Sequence, residues 1–199
     1  MLFLVSALSL LAFSIKDDTI SKKERSYAIK FLKDTENGVF KAVKGLSDEQ
    51  LKFKPAPDRW SVEECLKHIA VTEQALWGMT EGNIKQPANP DKRTEIKSSD
   101  EDIIKMIENR TQKIQTADPL KPENTPFKSA AEAQESFKTT REKIIEFVNT
   151  TNDDLRNHVA TLPIGMFDSY QMLLFIGAHS NRHTQQIEEV KADPNFPKK

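Results

Sequence analysis

The stretch "GAHSNRHTQQIEEV", residues 177–190, carries two histidines, His179 and His183, one helical turn apart. Taken with the residues before it, Met172, Ile176, His179, His183, Ile187 and Val190 step by 4, 3, 4, 4 and 3, the period of one face of an α-helix. Both imidazoles are therefore expected on the buried stripe of the last helix. A neutral imidazole is a good ligand for Zn, Ni, Cu or Fe, and a pair at i and i+4 aims both rings at one point. The opposing reading is a pair of core histidines, each hydrogen-bonded to a nearby carbonyl. Ser180 stands where the helix of a zinc peptidase would carry Glu, so the peptidase motif is absent.

The same periodicity, followed back along the chain, predicts the fold. In residues 22–46, Ala28, Leu32, Val39, Val43 and Leu46 mark a first long helix. "LSDEQLKFKPAPDRW", residues 46–60, is a connector in which Ser47 and Gln50 cap one short helical turn. A second long helix opens at Ser61, in capping-box register with Glu64, and buries Val62, Cys65, Ile69, Thr72, Leu76 and Met79. His68 lies at the edge of that face and can look into the bundle as a third ligand. Three nitrogens leave a position open for water or substrate, as catalytic sites do. Residues 83–127 are polar and rich in proline. They enclose a short amphipathic piece, residues 101–116, with Ile103, Ile107, Arg110 and Ile114 on one face, and read as an insertion or lid. A third long helix starts at Ser129, capped through Glu132, and runs through Ala133, Phe137, Thr140, Ile144 and Phe147 to Thr151. A long loop leads to Asp168 or Ser169 as the cap of the last helix. The expectation is an all-α chain: a four-helix bundle over residues 22–192, with a short additional helix in an insertion at about 83–127.

Composition narrows the functions. Among 199 residues, 29 basic and 30 acidic side chains give a net charge of −1 with no basic stripe, which excludes a nucleic-acid binder that must neutralise phosphates. The single Cys65 excludes an intramolecular disulfide and a Cys-x-x-Cys redox or zinc pair. The apolar run "MLFLVSALSLLAF" is too short to span a bilayer but suits a signal peptide, residues 1–14, cleaved after small residues. Export to the periplasm or medium, without a stable membrane anchor, is the expectation. If the run is instead a buried segment, the protein is cytoplasmic.

"RWSVEECLKHIA", residues 59–70, and "GAHSNRHTQQIEEV" together resemble the DinB superfamily, which includes the DinB-like and YfiT-like proteins of bacteria. The shared features are Trp-Ser opening the second helix, a His seven residues later, and His-x-x-x-His on the last helix, in that order. The resemblance covers residues 22–192. It implies a bundle in up-down-down-up order, often a homodimer, with a divalent metal, zinc or nickel, held by His68, His179 and His183. Relatives of this kind include transferases that use low-molecular-weight thiols such as bacillithiol or mycothiol. The functional expectation is a three-histidine metal enzyme that performs hydrolysis or thiol transfer on a small-molecule substrate. The alternative is a non-catalytic, stress-associated metal-binding bundle.

Five further residues have two readings each. Trp60 could line the site, but packing at the start of the second helix explains it. Arg182 should face away from His183 into a surface salt bridge, or reach an anionic substrate. Cys65 could be a reactive thiol or a small buried hydrophobe. His158, in the loop before the last helix, could shuttle protons or be merely solvated. Glu64 could orient His68, although its capping role already accounts for it.

Overall fold

The computed structural model describes residues 20–111 and 114–198, so the expected signal segment, residues 1–14, lies outside the described residues. The chain runs through α1 (Lys22–Val43), α2 (Asp48–Lys52), α3 (Val62–Ile84), α4 (Asp100–Glu108), α5 (Ala130–Thr150), β1 (Val159–Leu162), β2 (Gly165–Asp168) and α6 (Ser169–Lys191). Short 3-10 turns punctuate residues 90–124. No described helix is long and apolar enough to cross a membrane.

Local chemistry starts the helices. Ser21, Ser47, Ser61, Ser99 and Asp168 each accept from the backbone N–H three residues on, and the side chain at that position accepts from the cap's own N–H. At α5 the exchange is one-sided, because the Glu132 carboxylate accepts from the Lys128 N–H instead. Ser61 is nearly buried, so Ser61→Ala removes an acceptor that water cannot replace. A loss of about 1 kcal/mol is expected, read as a shift of the urea midpoint at constant slope.

The four long helices form a ring in which α1 touches α5 and α6, and α3 touches the same two. Their directions follow from paired ends. Tyr170 at the start of α6 donates to the Glu24 carbonyl at the start of α1, and Lys191 at its end donates to the Ala42 carbonyl, so α1 and α6 are parallel. Asn83 at the end of α3 donates to Ser169, making α3 antiparallel to α6. Gln74 bonds Ser136 and Lys143 pairs with Glu81, so α3 and α5 run together. The order is up-down-down-up, as the resemblance implies.

The core is cut in two by a polar layer. One apolar cluster gathers around Leu32, Leu76, Ile144 and Ile176, the other around Val39, Ile69, Phe137 and Ile187. Between them every long helix contributes one polar residue: Thr35, Glu73, Arg141 and Ser180. Arg141, with no exposed surface, donates from Nε and Nη2 to the two Glu73 oxygens at 2.5 and 2.7 Å. It also donates to the Leu32 carbonyl, Thr35 Oγ1 and Ser180 Oγ. All four helices are thereby held in register.

Four sequence expectations need correction. The segment before α6 is not a plain loop but a hairpin, β1 against β2 with Leu162 opposite Gly165. Pro163 and Ile164 form its turn, and Gly165 at φ 140° adopts a conformation open only to glycine. Strands of four residues with a proline between them carry too little alternation to be recognised. The amphipathic piece in the insertion ends at Glu108 rather than 116, because the Asn109 side chain accepts from the Thr111 N–H and hydroxyl and turns the chain out of the helix. Ile114 is accordingly two-thirds exposed. Met79 is exposed, since the buried stripe of α3 continues through Trp77 and Thr80.

Candidate metal centre

His68 sits two turns into α3 and His179 and His183 on the last half of α6. Because these helices are antiparallel neighbours, the three rings meet at their seam. One ring nitrogen from each lies within 4.8 Å of the other two. His68 Nε2 and His179 Nε2 are 3.2 Å apart, and the His183 centroid is 4.4 Å from that of His68 and 4.6 Å from that of His179.

Partners on the far side of two rings fix the proton positions. His68 Nδ1 donates to the Leu120 carbonyl at 2.8 Å, with Thr72 Oγ1 3.4 Å from the same nitrogen. His183 Nδ1 donates to Gln186 Oε1 at 2.9 Å. In both rings Nε2 is then the bare nitrogen. His68 Nε2 presents a lone pair to His179 Nε2, and only a proton or a cation can complete that contact. Burial pushes all three imidazoles below their usual range. His179 and His183 are driven well below it, with the charges of the neighbouring rings adding to the effect. The cluster is therefore held neutral, the state in which imidazole binds metals. Two nitrogens bound to one tetrahedral Zn at 2.0–2.1 Å stand about 3.3 Å apart. The 3.2 Å separation fits that geometry, and an all-imidazole donor set suits zinc, nickel, copper or iron alike.

The surroundings revise the two-way readings. Trp60 does more than pack: its ring lies 4.8 Å from that of His68 and stacks on that of His183 at 5.9 Å, forming one wall of the site. Arg182 is buried, and its Nη1 donates to the carbonyls of Ile107 and Asn109, where a cation complements the C-terminal end of α4. Cys65 is fully buried and burial pushes its thiol up, which makes it a core hydrophobe. His158 is neither solvated nor near the cluster. Its ring nitrogens contact the carbonyls of Asp154 and Gln86 and pin the hairpin to the end of α3, at the other end of the bundle. Glu64 caps α3 and pairs with Lys54, while His68 is oriented by Leu120.

A cavity of about 300 Å³ opens beside His183, with Arg59, Trp60, Arg110, Lys121, Arg182 and Gln186 among its walls. Arg110, Ile114, Gln115, Thr116, Lys121 and Glu123, from the segment between α4 and α5, supply part of that lining. Sequence reasoning missed Gln186 and Leu120. Gln186 carried a signal, since it stands three residues after His183 on the same helix, where side chains meet. A backbone carbonyl such as that of Leu120 leaves none.

Three comparisons bear on this geometry. The family model of the DinB superfamily matches residues 32–187. YuaE, an uncharacterized protein of Bacillus subtilis strain 168, is 27% identical over 152 residues, which cover 75% of this chain and 88% of that protein. Among solved structures, YfiT from Bacillus subtilis superposes with a TM-score of 0.60 at 15% identity, covering 90% of this chain and 92% of its own. YfiT is described as "a probable metal-dependent hydrolase with an unusual four-helix bundle topology", and at that identity the likeness establishes the shared fold.

Proposed function

The chain belongs to the DinB superfamily, and from that premise we propose that it is a metal-dependent enzyme acting on a small molecule, with His68, His179 and His183 holding one divalent ion, zinc or nickel. The observation that carries the reading is the convergence of three neutral imidazoles, two with their Nε2 atoms bared by outer hydrogen bonds, beside an open cavity. Three protein ligands leave a tetrahedral ion one position short, which distinguishes a working site from a closed structural one. When bound, the ion supplies Lewis acidity that activates a water for hydrolysis or a thiol for transfer.

The chain's own residues do the rest. Leu120 and Gln186 hold two rings with Nε2 inward. Trp60 closes one side of the cluster against water. Arg59 and Lys121, with the exposed carboxylates of Asp58 and Glu123, line the cavity, so an arriving substrate meets both signs of charge. Within the same reading the protein is exported through residues 1–14 and works as a homodimer, the first resting on the N-terminal pattern and the second on the family.

The test is a turnover screen with zinc-loaded, nickel-loaded and chelator-stripped protein, using activated esters and amides, and thiols paired with electrophilic acceptors. The expected result is turnover of one class in a loaded form, lost on stripping. Loaded protein that processes neither class would reduce the ion to a brace for the helix ends.

A further inference from the structure

Gln186 stands between the three-histidine cluster and the insertion. Its Oε1 accepts from His183 Nδ1 at 2.9 Å and from Arg110 Nη1 at 3.4 Å. Arg110 is fixed in turn, because its Nε and Nη2 each donate at 2.7 Å to a separate oxygen of Glu189. Two donors converge on one amide oxygen, so the amide cannot turn over without losing both contacts. While it stays, the His183 proton stays on Nδ1 and Nε2 faces the other rings.

We propose that Gln186 is the positioning residue for His183, and that Arg110 of the insertion holds Gln186 in that role. The affinity of the cluster for its ion then depends on Arg110, acting through the Gln186 amide. His68 is oriented by the same segment, through the Leu120 carbonyl. The insertion is thus part of the metal site as well as a wall of the cavity. This inference rests on the reading that the cluster binds a metal.

The experiment measures zinc affinity by competition with a chromophoric chelator, and the visible spectrum of the cobalt-substituted protein, for the full chain and its variants. Gln186→Leu is expected to weaken zinc binding by about 10- to 100-fold and to alter the cobalt bands. Gln186→Glu keeps an acceptor and should recover most of the affinity. Gln185→Leu, one position along, removes a side chain that donates to the Glu108 carbonyl instead, and should leave both readouts unchanged. Arg110→Ala should weaken binding alone but add nothing to Gln186→Leu, because both act through one contact. Wild-type affinity in Gln186→Leu, or an Arg110→Ala loss that adds in full, overturns the proposal while leaving the metal reading intact. A wild-type protein that binds neither zinc nor cobalt overturns both.

Discussion

Arg141→Ala is expected to destabilise the protein by about 3–5 kcal/mol, a large share of the roughly 5–15 kcal/mol that holds a domain of this kind together. The residue has no exposed surface, and it satisfies both Glu73 oxygens, the Leu32 carbonyl and two hydroxyls from α1 and α6. Its removal strands a buried carboxylate. Burial already pushes Glu73 up against the pull of the guanidinium, so without Arg141 the acid takes a proton or draws in water. Glu73→Ala should cost a similar amount by stranding the guanidinium. The double variant Glu73→Leu with Arg141→Met should recover much of the loss, because an apolar replacement of both partners strands neither. Denaturant unfolding of the four proteins checks this. Single variants within 1 kcal/mol of wild type would mean that the layer contributes little to stability.

The second large effect concerns the ion. Zinc or nickel at about 1,000 times its dissociation constant should stabilise the folded chain by about 4 kcal/mol, visible as a higher melting temperature that a chelator reverses. The same addition should do nothing for His183→Ala beyond what two remaining imidazoles allow. The variant also loses the ring's stacking on Trp60 and its hydrogen bond to Gln186, so the metal response of each protein is read against its own metal-free form. A variant that still gains the full increment would remove His183 from the ligand set.

Legibility in the sequence followed periodicity. The long helices could be read because apolar residues recur by three and four and because serines or an aspartate stand at their starts, and His68, His179 and His183 could be singled out because they fall on those stripes. What escaped was chemistry without a period. Arg141 occupies a stripe position between Phe137 and Ile144, yet a lone arginine there reads as a solvated charge until its partners on three other helices are known. Arg182 was assigned to the surface by its angle from His183, but α6 is covered by α1, α3 and α4, and so has little solvent face. The hairpin escaped because its strands are short. Trp60 was read as packing because a residue before a helix ordinarily packs, whereas its stacking on His183 depends on a helix more than a hundred residues later.

The most direct test of the account is elemental analysis of the purified wild-type protein and of His179→Ala, both dialysed against a weak chelator after loading with zinc or nickel. The account predicts about one transition-metal ion per wild-type chain and little or none in the variant, with both folded by circular dichroism. Equal metal content in the two, or no retained metal in the wild type, would contradict it and make the three rings a hydrogen-bonded feature of the core.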